Sequence, residues 1–502
     1  MNSSKQIKLG AMVSYFAIAI NMILTFIYTP WMKNQIGMAN YGLYTLASSF
    51  ISVFMLDFGI GAAVSRFVAK YRSEDNKQGI SNVIGLAYKL FIMIDGIIFV
   101  VLLVLFFFLD IIYSGLTPDE INKFKVLYVV IATFSVISFP FSPQNGILNA
   151  YERFVPLKIC DLFHKLSSVF LIVLALLFGF GVEAIVTANA VSGLLTILIK
   201  LYIIKKQTPV KANFKIKDKN LLKEIAGFSI WTSVIGIAQR LTYNIAPSIL
   251  GVVSTSYQIA LYSPASSIAG YFYTFAVAIN GLFLPTISRK IAQKKDDDIL
   301  QLMITVGRFQ VVLLGLMYTG FWVIGKEFMI AWMGQEFEAS YYSVLLLAFP
   351  TILEYSQQIA NTTIIAKNKV KERSLILLAS SFVNVIISPI LSKSFGVYGV
   401  SIAIVIAALL NYVFMNVVFY KVLKINVFKF YMECYLPAIL PILCGILLSS
   451  VITSYIAVSG WFGIILKGTI TAIVFLLLAF VFCLKKQEKK KIKQKLLCRI
   501  KK

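Results

Sequence analysis

Five ionisable side chains stand deep inside long apolar runs, and they give this sequence its chemistry. They are Asp57, Asp95, Arg240, Arg308 and Glu354. On insertion scales a charge held in hydrocarbon costs roughly 2.5–3.5 kcal/mol, so such a group faces a cavity or a partner. Two arrangements follow. In one, the five pair with one another and lock helices together. In the other, Arg240 and Arg308 line a cavity and meet an anionic ligand, while Asp57, Asp95 and Glu354 take part in coupling or gating. An arginine fork matches phosphate through bidentate, charge-assisted hydrogen bonds. No acid accompanies either arginine inside its run, which favours the cavity.

Other residues extend this set. Asn21, Asn145 and Gln239 are polar groups inside apolar runs and are candidate substrate ligands beside the arginines; Arg66 is a further candidate for gating. Lys89 is shallower and reaches towards the cytoplasm along its apolar stem. His164 is the only histidine, with Asp161 and Lys165 spaced i, i+4 around it, which reads as a helix-surface ion pair. One histidine makes no histidine-based metal site. The five cysteines, Cys160, Cys434, Cys444, Cys483 and Cys498, form no CxxC pair, so neither a disulfide framework nor a metal site is expected.

The elements that must hold these groups are spanning helices. Of 502 residues, 59% are hydrophobic and only 14% charged, too few polar residues to cover a soluble core. The apolar residues come in blocks of about twenty, the length that crosses a ~30 Å hydrocarbon core. Fourteen spans are expected, at 10–32, 42–66, 80–109, 124–148, 159–180, 183–204, 224–250, 258–288, 299–325, 340–365, 374–392, 396–420, 434–456 and 460–484. The fold class is therefore all-α and polytopic. The first run shows no small-residue cleavage site near its end, so it is expected to be a span rather than a cleaved signal.

The net charge of +25 suggests nucleic acid until its location is considered. Basic residues collect in alternate loops, including Arg66, Lys70 and Arg72, the run from Lys200 to Lys223, and Lys367 to Arg373. The intervening loops hold Asp119, Glu120, Glu183, Glu336 and Glu338. This is the positive-inside pattern, which puts both termini in the cytoplasm and sets the tail 485–502, with ten basic residues and one acid, against anionic lipid headgroups. Membrane lipids are the expected partners, and nucleic acid is not. Prolines fall inside several spans. Pro30 is expected to end span 1; Pro140 and Pro143 interrupt span 4, Pro247 span 7 and Pro264 span 8.

A repeat divides the spans. Leu43 to Phe50 reads LYTLASSF and Leu261 to Ile268 reads LYSPASSI, an offset of 218 with five identities in eight. Six spans fit in that offset, so the copies share one topology and two six-helix lobes are expected. The divisions are 1–204 for the first lobe, 205–223 for a basic cytoplasmic linker, 224–420 for the second lobe, 421–484 for two added helices and 485–502 for the tail.

Three segments resemble one family. Gly37 to Leu46, with Tyr41-Gly42-Leu43-Tyr44, is similar to the sequence between the first two helices of polysaccharide-biosynthesis flippases. Leu56-Asp57-Phe58-Gly59-Ile60-Gly61, then Arg66, Ala69 and Lys70, resembles their second helix. Gly146 to Phe154 resembles the end of their fourth. The resemblance implies a Wzx-type lipid-linked oligosaccharide flippase of the multidrug/oligosaccharidyl-lipid/polysaccharide exporter superfamily. It implies two MATE-like six-helix lobes around a cavity that Arg240 and Arg308 make cationic. Its implied substrate is an undecaprenyl-diphosphate-linked oligosaccharide, moved from the cytoplasmic to the outer leaflet of the bacterial cytoplasmic membrane by alternating access. It further implies coupling to H+ or Na+ rather than a bound cofactor, and pathway partners such as a polymerase and chain-length proteins. An ion-coupled drug antiporter of the same superfamily would favour acids in its cavity. A glycan polymerase would carry catalytic groups in long outer loops, which this sequence lacks, so no enzyme is expected.

Overall fold

The computed structural model describes residues 3–483, apart from 210, 281–282, 284–286, 288, 292, 294–295 and 368. The basic tail, the cysteine at 498 and the lysines at 294 and 295 lie outside the described residues. Among the described residues all regular structure is helical. The helices are α1 (Ser3–Phe54), α2 (Ile60–Ser73), α3 (Lys77–Ile112), α4 (Pro118–Ser138), α5 (Pro143–Ala150), α6 (Phe154–Leu177), α7 (Val182–Gln207), α8 (Lys219–Gln239), α9 (Ala246–Val253) and α10 (Ser256–Asn280). They continue as α11 (Asp296–Met333), α12 (Glu338–Ser356), α13 (Gln358–Ala366), α14 (Val370–Phe395), α15 (Val397–Leu423), α16 (Val427–Phe430), α17 (Leu436–Ser454) and α18 (Gly460–Phe482).

Eleven continuous helical stretches are long and apolar enough to cross a bilayer. Three further helical segments lie where the other expected spans were placed. One is the second part of α1 continued by α2, one is α10, and one is α12 continued by α13. The chain is a multi-pass membrane protein. In hydrocarbon, apolar burial no longer drives helix to helix, so packing and polar satisfaction decide where helices meet.

Two expected boundaries move. Pro30 does not end span 1, because α1 continues helically past it; the helical backbone is interrupted instead at Gly37, with φ 79° and ψ 169°. Proline removes one donor and bends a helix, whereas glycine adopts the positive φ at which the chain turns. Pro264 likewise lies within continuous α10. Span 2, expected as one run, is broken between Phe54 and Ile60. Pro140 and Pro143 do break their span, into α4, a 3-10 turn at Phe139–Phe141, and α5.

By packing, the chain forms two compact units, Met1–Ala260 with Leu377–Val400, and Leu261–Ile376 with Ser401–Lys502. This grouping is by contact, and it differs from the chain-order lobes proposed from the repeat. Both copies of the repeat are helical, and both bury the same register: Leu43 with Leu261, Ala47 with Ala265, Phe50 with Ile268.

In the first unit an aromatic core joins α1, α3 and α4. The Phe50 ring lies 5.4 Å from Tyr128 and 6.0 Å from Phe124, both edge-on. Such pairs contribute about 0.5–1.5 kcal/mol each. Tyr128 also donates its hydroxyl to the Leu102 carbonyl at 2.8 Å. The segment between α7 and α8 folds back on α3. There the Asn213 amide donates to the Ser81 carbonyl at 3.0 Å, and Lys89 donates to the Ile216 carbonyl at 2.8 Å.

In the second unit α11 packs against α12, α17 and α18. Polar side chains tie α12, α15 and a π-turn at Tyr431–Tyr435 together. Tyr435 donates to the Leu353 carbonyl at 3.0 Å, contacts Ser356, and accepts from Tyr412 at 3.1 Å; Gln357 donates to Asn416 at 2.7 Å. This cluster sits where span 10 breaks between α12 and α13. Tyr435→Phe should lower stability by about 1–3 kcal/mol, the cost of stranding buried polar groups. Thermal unfolding in detergent would show it as a drop that Tyr420→Phe, at an exposed tyrosine, does not produce.

Candidate functional site

The break in span 2 creates one end of the site. Residues 55–59 leave the helix, and Asp57 folds its side chain back so that Oδ1 accepts the Gly59 amide at 2.8 Å. Phe58 and Gly59 both take positive φ, 50° and 65°. Gly59 is required twice over: the conformation disfavours a side chain, and a Cβ there would lie 2.1 Å from Thr232 Oγ1. The Phe58 carbonyl, freed by the break, accepts from Ser233 Oγ at 2.5 Å. The turn is therefore seated on α8.

The same stretch of chain carries Arg240 onto the site. α8 ends at Gln239 and runs into a π-turn at Arg240–Asn244 before α9, which begins next to Pro247. Proline has no N–H to give, so the helix preceding it widens. Asn384 of α14 answers the loosened backbone by donating to the Leu241 and Thr242 carbonyls at 2.9 and 3.3 Å, and Ser388 donates to Asn384 at 2.9 Å. Arg240 is half-buried and interacts electrostatically with Asp57. Arg66 of α2 lies over the Phe228 ring at 4.9 Å. Thus Asp57, Arg66 and Arg240 all lie along α8, while Gln239 beside them is exposed.

A second feature of the same unit is a cavity of about 350 Å³ among α1, α4, α5, α6 and α7. Asn145, Asp161, His164, Asn189 and Lys200 line it, with Phe134 and Phe141. Lys200 bridges helices, donating to Asn145 Oδ1 at 3.1 Å and to Asp161 Oδ1 at 3.3 Å. The other Asp161 oxygen takes Lys158 at 3.3 Å. The expected Asp161–Lys165 pair is thus corrected: Asp161 is shared by Lys158 and Lys200. His164 meets Ser192 through Nδ1 at 3.3 Å.

The remaining candidates lie elsewhere. Asn21 is exposed on α1 and accepts from Thr25 at 3.4 Å. Asp95 is 8% exposed in α3, and its Oδ1 has no hydrogen-bond partner among the described residues. Arg308 is 7% exposed and donates to the Cys483 carbonyl at 3.1 Å inside the second unit. Glu354 accepts from Asn411 at 2.7 Å, and its charge acts on Arg373 at the start of α14.

A family model described as polysaccharide biosynthesis protein matches residues 8–291, more than half of the 502. The chain belongs to this polysaccharide biosynthesis family. No curated protein matches it. Solved structures share its fold. An inward-facing MATE multidrug-resistance transporter of the MOP superfamily superposes with TM-score 0.68 at 15% identity, over 82% of this chain and 99% of its own. The lipid II flippase MurJ in an inward closed state gives TM-score 0.68 at 15% identity, over 94% and 98%. A MOP-superfamily transporter from Pyrococcus furiosus gives 0.58 at 14%, over 84% and 97%. The MATE-like fold of the chain is thereby established.

Of the Lys200–Asp161–Asn145 cluster, Asn145 is an expected substrate ligand, whereas Lys200 and Asp161 were not among the residues expected to act. A signal for them exists. Asp161 lies seven residues into α6 and Lys200 seven before the end of α7, so adjacent antiparallel helices bring them level. Removing Lys200 alone leaves Asp161 with one cation; removing both charges leaves neither stranded. Lys200→Met should therefore destabilise this family member more than Asp161→Asn/Lys200→Met. A double-mutant cycle on thermal unfolding should return a coupling on the order of 1 kcal/mol.

Proposed function

We propose that the protein is a flippase for an undecaprenyl-diphosphate-linked oligosaccharide, moving it from the cytoplasmic to the outer leaflet of a bacterial cytoplasmic membrane by alternating access. The observation that carries this reading is Arg240. A guanidinium is kept at a π-turn in the middle of span 7, half-buried, with a carboxylate on a broken helix for a counter-charge. A charge retained there at a cost of several kcal/mol fits a ligand of opposite charge, and diphosphate suits the arginine fork. A drug antiporter taking cations is disfavoured by the same group.

The breaks serve movement. Residues 55–59 and Arg240–Asn244 are places where backbone bonds are already replaced by side-chain bonds from Ser233 and Asn384. Rotation there disturbs fewer helix hydrogen bonds than bending an intact helix. In this reading Asp57 trades its hold on Arg240 for release when diphosphate arrives. Asp95 and Glu354 are the remaining carboxylates available to couple that exchange to H+ or Na+, with Arg66 fixing the α2 side. The basic loops face the cytoplasm, with both termini there, so the lysine-rich ends of α6 and α7 are on the loading side. Arg308 keeps a packing role, and the polymerase and chain-length proteins of the pathway are the expected neighbours.

Loss of the gene should leave lipid-linked oligosaccharide in the cytoplasmic leaflet and remove surface polymer. Arg240→Ala should do the same at normal protein abundance, and Arg240→Lys should restore only part, since an ammonium lacks the planar fork. Normal export by Arg240→Ala, measured as surface polysaccharide against membrane protein level, would contradict the site; so would export loss explained by missing protein.

A further inference from the structure

The cavity around Lys200 has chemistry that the diphosphate reading leaves unused. Its volume, about 350 Å³, is at the small end of ligand pockets, enough for one ring and not for a chain. Two aromatic side chains, Phe134 and Phe141, supply apolar wall, and amide, imidazole and carboxylate groups supply hydrogen bonds. α7 comes close at Gly193, where a Cβ would lie 2.5 Å from Phe134 Cζ, so the aromatic wall is held by a glycine.

The polar groups have a fixed polarity. Lysine only donates, so the Asn145 oxygen faces Lys200 and its NH₂ remains to give to a ligand. His164 has Nδ1 turned to Ser192, which leaves Nε2 as its second polar atom. The charges do not cancel. Lys158 and Lys200 share a single carboxylate, one oxygen each, at 3.3 Å apiece, and Lys165 adds a third cation near His164. Lys200 and Asp161 are the charged groups that line the cavity, and Lys158 on Asp161 and Lys165 near His164 add positive charge close by. That surplus favours an anionic ligand. Donors, acceptors and aromatic faces in a one-ring cavity suit a pyranose rather than a compact phosphate ion.

We infer that this cavity binds one acidic monosaccharide unit of the transported glycan, of the hexuronic-acid class, with Lys200 taking the sugar carboxylate and Asn145 and His164 reading hydroxyls. The inference rests on the flippase reading, which it deepens by naming a sugar that the headgroup must contain. Binding exchanges partners and breaks no covalent bond: Lys200 leaves Asp161 for the sugar carboxylate, and Asp161 stays with Lys158.

The test is saturation-transfer NMR on the full chain in lipid nanodiscs, with glucuronate, glucose and inorganic pyrophosphate as separate probes. Glucuronate should bind, and glucose should bind about tenfold more weakly, the factor expected for one charge-assisted hydrogen bond. Lys200→Met should abolish that preference, and Lys200→Arg should retain it. Gly193→Val, which pushes Phe134 into the cavity, should weaken both sugars. Arg240→Ala should bind glucuronate as the unaltered protein does while failing to export, which separates this inference from the flippase reading. No glucuronate binding, equal binding of both sugars, pyrophosphate competing for the same site, or a preference unchanged in Lys200→Met would each overturn it.

Discussion

A charge or a free backbone group in hydrocarbon must be answered by a partner within the protein, and the architecture of this chain follows from that requirement. Arg240 lies within the electrostatic reach of Asp57, Glu354 accepts from Asn411, Arg308 donates to the Cys483 carbonyl, and Asp161 takes two lysines. The backbone is treated in the same way. Where span 2 breaks, Ser233 takes the Phe58 carbonyl; where span 7 widens, Asn384 takes the Leu241 and Thr242 carbonyls. Apart from Lys158, which shares α6 with Asp161, each answer comes from elsewhere in the chain, so local satisfaction also fixes which segments are neighbours. A ligand that takes one partner away changes more than its own site.

The same requirement explains what the sequence could say. Length and apolarity set the spans, and hydropathy reports both directly, so a multi-pass, all-helical fold was legible. Pro247, in the first turn of α9, announced a disturbed helix, and one lies just ahead of it, at Arg240–Asn244. Pro30 announced one falsely, because a proline costs a helix one donor that neighbouring groups can replace, and the turn fell to Gly37 seven residues on. The break at 55–59 was hidden inside an apolar run, since Met55, Leu56 and Phe58 are as hydrophobic as helix residues; only Asp57 and Gly59 hinted at a turn.

The candidate site was read more partially. Deep charges could be found from sequence, but not their partners. Asp57 and Arg240 are far apart in the chain yet feel each other's charge beside α8, whereas Arg308, equally deep, donates to the Cys483 carbonyl at the end of the last helix. Lys200 and Asp161 looked like loop and helix-end charges until the antiparallel pairing of α6 and α7 set them level. Depth is a property of one helix, and pairing is a property of several. Which charges stay open to a ligand follows from the pairing, because a charge already enclosed by its own fold is not offered to one.

Family membership, the MATE-like fold and the half-buried Arg240 converge on one central claim, that this chain carries an anionic lipid-linked glycan through the membrane. The direct measurement is translocation in sealed vesicles that contain the purified protein and a fluorescent undecaprenyl-diphosphate oligosaccharide placed in one leaflet, with a membrane-impermeant quencher added on the opposite side. The account predicts quenching that grows with time in vesicles holding the unaltered chain and remains at the protein-free level in vesicles holding Arg240→Ala. Equal quenching with and without the unaltered protein would contradict it.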